Sequence, residues 1–460
     1  MKKPNIVYIM ADDMGIGDLG CYGAEKIPTP NMDRLAKEGL RFTDAHSSSA
    51  VCTPSRYSVM TGRYCWRTRL KKFVIGGFGA PLIEPDRATL GTLCKKAGYN
   101  SAAIGKWHMG FTWYDQSGEA LKLPECDALD IDGFDVDYAR GIDGGPVDLG
   151  FDTYFGIAGS LDMPPYVLIE NRNMVELPDR EKEVYYNQQR RGLQMPSFKD
   201  EEVDVTFARK AVEYIEQQSE SEAPFFLYMT PASPHRPCDI RPDFVKGKSA
   251  AGDRGDMVVL FDWVVGQVLD ALDRTGQADS TLVVVTSDNG ARVVCANGED
   301  YGHKANGIYR GQKADIWDGG HREPFLVRWP GVVSAGTTSD ALTCLSDFFA
   351  TVGEVIGQDA SCAEDSISFL PVLKGEKPAV RETLVHHSGF GMFSLRKGDW
   401  KLVLGSGSGG FTEPVGELSE TNGQLYNLKD DPSEQVNLWG SRSEILAELK
   451  QELAAIFTEP

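Results

Sequence analysis

The sequence predicts an α/β protein: a large mixed, mostly parallel sheet flanked by helices, with a small C-terminal antiparallel-sheet-plus-helix subdomain. Three observations predict it. Periodic helical stretches alternate with continuous apolar runs over most of the chain, the pattern of strands covered on both faces. Several apolar runs end in polar residues, as strands do where a sheet meets a ligand cleft. Beyond about residue 376 the pattern changes to short strands separated by turns, then one amphipathic helix. The expected domains are therefore 1–376 and 377–460.

Taken in order, 6–10 reads as a short buried strand ending in Asp12-Asp13. "NMDRLAKEG" (31–39) reads as a helix, with Asn31 to cap it and Gly39 to close it. "TLGTLCKKAGYNSAAIGKWHMG" reads as a helix ending at Gly98, then a strand leading to Lys106 and His108. "VDVTFARKAVEYIEQQ" is a strongly periodic helix, followed by the strand "PFFLYMTP" and Ser233-Pro234-His235. "GDMVVLFDWVVGQVLDALDRTG" is a long amphipathic helix, and "TLVVVTSDNG" is the clearest buried strand, delivering Asp288-Asn289. In the C-terminal part, "ETLVHH", "GMFSLRKGDWKLVL" and "GQLYNL" read as strands and 441–457 as the final helix. "GSGSGG" (405–410) is expected to be a flexible hairpin loop, and the acidic run 430–435 a solvated surface.

With 460 residues, 41% of them hydrophobic and 25% charged, the chain can build a sizeable core. A formal charge of −20 with no basic stripe argues against a nucleic-acid partner. It leaves room for an anionic substrate, because a local cluster of Lys, Arg and His overrides the global sign inside a cleft. Nine cysteines, an odd number spaced singly without a CxxC, argue against a paired disulfide framework or a zinc site, and most are expected to be buried thiols. No apolar run reaches the length of a membrane span. "MKKPNIVYIMADD" reads as a strand and not as an export signal, which leaves the compartment open.

Four strand ends carry the chemistry: Asp12-Asp13, Lys106 with His108, His235, and Asp288-Asn289. Adjacent carboxylates are costly to hold together without a cation. Asp12, Asp13, Asp288 and Asn289 offer only oxygen, which suits a hard cation, Ca²⁺ or Mg²⁺, over zinc. "SSSAVCTPSRYSVMTGRY" then poses a question, since Cys52 sits in polar company at the start of a helix, with Arg56 one turn on. The positive end of the helix dipole favours an anion there, yet a soft thiolate beside hard-cation ligands is a poor match. Oxygen would fit better.

These motifs make the chain resemble the type I, formylglycine-dependent sulfatases of the alkaline phosphatase superfamily, which include arylsulfatases and carbohydrate sulfatases. The C-x-P-S-R signature stands as Cys52-Thr53-Pro54-Ser55-Arg56, followed by Thr61-Gly62-Arg63. "DDMGIGDLGCYG", "GKWHMG", "SPHRP", "SDNG", "GQKADIWDGGHREPFLVRWPG" and "QLYNLKDDPSEQVNL" match family blocks in the expected order over nearly the whole chain.

The resemblance implies an alkaline phosphatase-like fold and a sulfuric ester hydrolase, and the long polar and aromatic loops favour an exo-acting carbohydrate sulfatase over a general arylsulfatase. It implies that a maturation enzyme oxidises Cys52 to Cα-formylglycine, whose hydrate attacks sulfur. Asp12, Asp13, Asp288 and Asn289, with residue 52, would hold Ca²⁺, with Mg²⁺ as the alternative. Arg56 would secure residue 52, Lys106 and Lys313 would bind sulfate oxygens, His108 would act as base, and His235 would protonate the leaving oxygen. An imidazole pKa near 6.5 suits both roles. Lys304 competes with Lys313 for its role. Family members are usually exported.

Substrate contacts are expected from the long loops 66–86, 111–150, 160–200 and 291–310, with Arg236, Tyr301, His303, Trp317 and His321 as candidates. Predominantly polar loop residues favour a sulfated saccharide over a simple aryl sulfate. His386-His387 reads as structural or substrate-facing. Rival readings are a phosphodiesterase or phosphonate hydrolase of the same superfamily, a thiol hydrolase, and an inactive glycan-binding relative. The first needs a second metal with histidine ligands, which seven histidines here do not supply.

Overall fold

The computed structural model describes residues 3–121, 131–184, 189–293 and 300–458. Parts of the loops 111–150, 160–200 and 291–310 lie outside them. Among the described residues a ten-stranded mixed sheet forms the centre. Its strands are β1 (Asn5–Ala11), β2 (Leu40–Phe42), β3 (Asn100–Lys106), β4 (Thr153–Ile157), β5 (Ile169–Glu170), β6 (Asn173–Met174), β7 (Phe225–Thr230), β8 (Thr281–Ser287), β9 (Phe325–Arg328) and β10 (Thr337–Ser339). Their spatial order is β10-β2-β9-β8-β1-β7-β3-β4-β5-β6. The five central strands β8, β1, β7, β3 and β4 are parallel, and antiparallel pairs begin at β9 and β5.

Helices α1 (Pro30–Glu38), α2 (Cys52–Thr61), α3 (Leu90–Lys96), α4 (Val203–Gln218), α5 (Gly252–Arg274), α6 (Asp347–Ile356) and α7 (Ser443–Thr458) complete the main elements. α1 and α4 pack on α5, while α2 and α3 pack on α6. Every residue of β7 and β8 is buried, as their unbroken apolar runs require. No helix among the described residues is long and apolar enough to cross a membrane.

Register places the site. β1 and β8 pair with Ala11 opposite Ser287, so Asp12 and Asp288 leave the sheet side by side. β7 and β3 pair with Thr230 opposite Gly105, which brings Lys106 and the 233–235 turn to the same edge. Parallel neighbours present all their carboxyl ends on one side, and four separate motifs converge there.

The small sheet is antiparallel in the order β11 (Thr383–His387), β12 (Phe393–Lys397), β13 (Trp400–Val403), β14 (Gln424–Asn427). Leu384, Leu395, Leu402 and Leu425 form its apolar face and meet Leu449 and Leu453 of α7.

Three local expectations are corrected. Asn31 does not cap α1: the helix begins at Pro30, and the Asp262 carboxylate of α5 accepts from the N–H groups of Asn31 and Met32. A partner helix thus satisfies the orphan donors that a side-chain cap serves elsewhere. The glycine-rich 405–410 segment is no flexible surface loop, because Ser408, Gly409 and Gly410 are buried against the 314–316 backbone. In the acidic run 430–435, Glu434 is fully buried, 2.8 Å from Lys401 Nζ.

Candidate active site

Cys52 opens α2 and is buried, with Val51 at the cap. Its Sγ donates to Asp12 Oδ1 at 3.3 Å and receives Lys313 Nζ at 3.3 Å. Burial, then the neighbouring Asp12 carboxylate, push the thiol far above its ordinary range. The hydrogen bond to Asp12 Oδ1 likewise needs the proton on sulfur, and a neutral thiol is a weak nucleophile.

Three carboxylates face three cationic side chains. Lys106 Nζ lies 2.7 Å from Asp12, Lys313 Nζ 2.6 Å from Asp13, and Arg56 Nη2 2.7 Å from Asp288. Arg56 is fully buried, and its fork also reaches the Lys106 carbonyl at 3.1 Å. Burial alone would raise the Asp12 carboxyl, but Lys106, His235 and Arg56 hold it well below the usual range. Asp13 is lowered in the same way, against burial, chiefly by Lys313 and His235. Asp288 goes the other way: burial pushes it up to about 6 despite Arg56. The sulfate-binding role expected of Lys106 and Lys313 thus meets two lysines already paired to carboxylates.

The donor chemistry fits a hard cation. Asn289 Nδ2 donates to Asp13 Oδ1 at 2.8 Å, while its buried Oδ1 has no hydrogen-bond partner. A buried amide oxygen left bare beside three carboxylates is an arrangement that an oxygen-seeking cation completes. Asp12, Asp13, Cys52 and His235 also bring their ligand atoms within 4.8 Å of one another.

The two imidazoles depart from the expected pKa near 6.5. Burial, then Lys106 and Arg56, pull His108 well below it, and burial with Lys313 takes His235 to about 4. Hydrogen bonding fixes the tautomers. His108 Nε2 meets the Ile75 carbonyl at 2.9 Å and must donate, leaving a buried, unpartnered Nδ1. His235 Nδ1 donates to the Arg236 carbonyl at 2.9 Å, leaving Nε2 at 3.6 Å from Asp13.

Backbone strain gathers here. Asp13, His108, Ala314 and Phe73 all have positive φ, at 70°, 57°, 74° and 59°. Such conformations cost on the order of 1–3 kcal/mol each and persist where surroundings over-determine them. Arg254 does part of this by donating to the Asp13 carbonyl at 2.9 Å and to Asp18.

The pocket over Cys52 is lined by His108, His235 and Lys313, and by Phe73, Asp162, Arg190, Arg236, Arg292 and Phe411. Of the five substrate candidates only Arg236 lies on this wall, 3.1 Å from Asp162. Tyr301 is exposed elsewhere, and His303 pairs with Asp18 at 2.8 Å. Trp317 is buried, donating to Gln424 at 2.9 Å under the Arg310 guanidinium. His321 is fully buried beside His46 and His386. Of the competing lysines, Lys313 enters the site and Lys304 is exposed. Asp162, Arg190, Arg292, Phe73 and Phe411 escaped sequence reading because no local motif marks them. Loop 111–150 supplies no lining residue among those described.

His46, His321 and His386 also form a group with the composition of a metal site. Their geometry opposes it. The His321 and His386 rings stack at 3.7 Å and 16°, so the in-plane lone pairs of both cannot meet one ion. The Lys401 ammonium stands 3.2 Å from His321 Nε2. His386 and its neighbour His387 are buried and structural, joining β11 to the 47–50 segment that leads to Cys52.

Comparison with known proteins agrees with this geometry. The sulfatase family model matches residues 4–358. The chain is 32% identical to an N-acetylgalactosamine-6-O-sulfatase of Bacteroides thetaiotaomicron, over 99% of this chain and 94% of that one. It is 33% identical to the steryl-sulfatase of Homo sapiens, over 84% and 72% respectively. A solved structure from work on the metabolism of multiple glycosaminoglycans by Bacteroides thetaiotaomicron superposes with a TM-score of 0.86, at 31% identity and full coverage of both chains. With four strand-end motifs converging on Cys52 and the family match spanning most of its length, the chain belongs to the sulfatase family and is a sulfuric ester hydrolase.

Proposed function

We propose that the protein is an exo-acting carbohydrate sulfatase, removing one sulfate from a terminal sugar of a sulfated saccharide. In this reading Cys52 is matured to Cα-formylglycine by a maturation enzyme, and Asp12, Asp13, Asp288 and Asn289 hold Ca²⁺. The carrying observation is the charge arrangement around Cys52. Three carboxylates are balanced by Arg56, Lys106 and Lys313, so a bound divalent cation leaves the pocket with a net positive charge where an anion must sit. The names of two relatives support the sugar: one acts on N-acetylgalactosamine 6-O-sulfate, the other comes from glycosaminoglycan metabolism.

When present, the hydrated aldehyde supplies an oxygen nucleophile and the cation stabilises sulfate charge. This chain's own residues do the rest. Arg56 fixes Asp288 and the end of β3 through a buried fork of hydrogen bonds. Lys106 and Lys313, relieved of balancing Asp12 and Asp13 alone, can turn their ammonium groups to sulfate oxygens. His108 takes a proton at Nδ1, the one ring nitrogen its Ile75 bond leaves bare. His235 delivers a proton from Nε2 to the leaving alcohol oxygen, because Nδ1 is engaged by Arg236. A bound sulfate ester places negative charge beside His235 and so raises its proton affinity from the low resting value. Buried Val51, Val74 and Met163 on the pocket wall limit water.

A panel of defined sulfated mono- and disaccharides tests the reading, with sulfate release measured by sugar, position and terminal or internal location. Release from one terminal sugar class is expected. Hydrolysis of aryl sulfates with refusal of every sugar would overturn the carbohydrate assignment and leave the enzyme class standing.

A further inference from the structure

Three phenylalanines from three separate segments meet at the mouth of the pocket. Phe73 follows the helical turn after α2, Phe390 lies in the β11–β12 turn, and Phe411 ends the glycine-rich segment after β13. Their ring centroids form a near-equilateral triangle with sides of 6.2, 6.2 and 6.0 Å. The Phe73 and Phe390 rings lie 34° apart, and Phe411 stands edge-on to both, at 69° and 73°, with the Arg292 guanidinium over its face. Phe73 and Phe411 lie on the wall that contains Cys52, and Phe390 is 41% exposed beside them.

This triangle is built and held, not a chance contact of loops. The Phe73 N–H donates to the Gly389 carbonyl at 2.7 Å, which holds Phe73 in its left-handed conformation. The Phe390 N–H donates to Gly409 at 3.0 Å, and the Phe411 N–H to Asp315 Oδ1 at 2.8 Å. Ala314, next to Lys313, ties the set to the reacting centre: its N–H donates to Ala50 at 2.7 Å and its carbonyl accepts from Gly389 at 2.8 Å. A Cβ at residue 410 would stand 2.3 Å from the Ala314 carbonyl, so only glycine lets the segment bring Phe411 this close.

We infer that Phe73, Phe390 and Phe411 are recognition residues: a rigid aromatic platform, formed by the Phe73 and Phe390 rings with Phe411 edge-on as its wall, on which the sugar ring bearing the scissile sulfate, or its neighbour, lays its C–H face. The inference rests on the saccharide reading above and deepens it. An exposed aromatic surface at a pocket mouth is costly in water and is repaid by covering it with a flat, partly apolar ring. Sulfate is bound by charge at the pocket floor, whereas charge cannot recognise the uncharged faces of a pyranose. The platform also gives the small C-terminal sheet a part in specificity, since it supplies two of the three rings.

The contact is made equally in ground and transition states, so its loss raises KM and leaves kcat nearly unchanged. The test uses F390L and F411L, which keep apolar volume but lose the flat ring, and F390W, which keeps it. On the sulfated saccharide that the wild type prefers, KM is expected to rise about 10-fold in each leucine variant, with kcat within about 3-fold. F390W should keep KM near the wild-type value. Since Phe390 is 41% exposed, F390L keeps the readout available even where F411L folds poorly. Unchanged KM in F390L, or a fall in kcat at constant KM, would overturn the platform while the wild type still cleaves saccharides. A wild type that cleaves aryl sulfates but no saccharide would overturn the saccharide reading and this inference together.

Discussion

Lys313 Nζ stands between Asp13 and Cys52, 2.8 Å from the carboxylate oxygen Oδ2 and 3.3 Å from the sulfur. Burial alone would lower this ammonium, yet Asp13 and Cys52 hold it above its ordinary range. One side chain therefore links the oxygen ligands to the residue expected to carry the nucleophile.

Removing that ammonium strands Asp13. Breaking one partner of a buried pair costs on the order of 3–5 kcal/mol, because the remaining charge loses its compensation. K313A should lower the melting temperature strongly in EDTA and much less in millimolar Ca²⁺, since a bound cation takes over the neutralisation. Equal losses in both media, read by differential scanning calorimetry, would separate Asp13 from the cation site.

Cation binding should stabilise the wild type too. At a free concentration of 100 times Kd, linkage adds about 2.7 kcal/mol to unfolding free energy. D12N and D288N should abolish this calcium-dependent rise while the chain stays folded. A melting temperature indifferent to Ca²⁺, Mg²⁺ and EDTA would refute the site.

Cys52 should be found as formylglycine when the chain is made beside its maturation enzyme. Peptide mass spectrometry over residues 47–63 reads this directly, as loss of the thiol mass and gain of an aldehyde. Sulfate release should track the converted fraction, and C52A should show none. An active preparation containing only thiol would contradict the mechanism.

His235 and His108 should separate by leaving group. H235A is expected to cut kcat on an unactivated sugar sulfate by about 10²–10⁴-fold, and far less on an aryl ester whose phenolate leaves without a proton. H108A should cost similar factors on both substrates. Parallel losses in the two variants would remove the acid role from His235.

Away from the site, Asp262 makes a pH prediction. Burial pushes its carboxyl up to about 6, although the N–H groups of Met32 and Asn31 pull it back. The folded state then binds more protons than the unfolded state between about pH 4 and 6, so this group's stabilisation fades as pH rises through that window. Relative to wild type, D262N should be least favourable near pH 4 and gain on the order of 2–3 kcal/mol by pH 7. Denaturant unfolding at several pH values measures it, and parallel stability curves would exclude the effect.

Sequence by itself determined the elements whose causes are local. β1, β7 and β8 were legible because their apolar runs are short, unbroken and set between helical stretches, the pattern of strands buried on both faces, and each run ends in the polar residues that matter. Asp12, Asp13, Asp288, Asn289, Lys106, His108 and His235 could be named because a parallel sheet presents its carboxyl ends on one edge, whatever its strand order. Tertiary structure decided what depends on partners far along the chain. The register of Ala11 on Ser287 sets the carboxylates side by side. Carbonyls of Ile75 and Arg236 choose which nitrogen of each histidine is bare. Asp262 caps a helix 231 residues away, Lys401 buries Glu434, and the histidine stack takes His321 out of the pocket. Phe73, Phe390 and Phe411 became neighbours only through hydrogen bonds to Gly389, Gly409 and Asp315, segments far from one another along the chain. Backbone propensity and hydrophobic period are written in neighbouring residues, whereas tautomer, ion pairing and pocket shape are set by groups that only the packed chain brings within hydrogen-bonding distance.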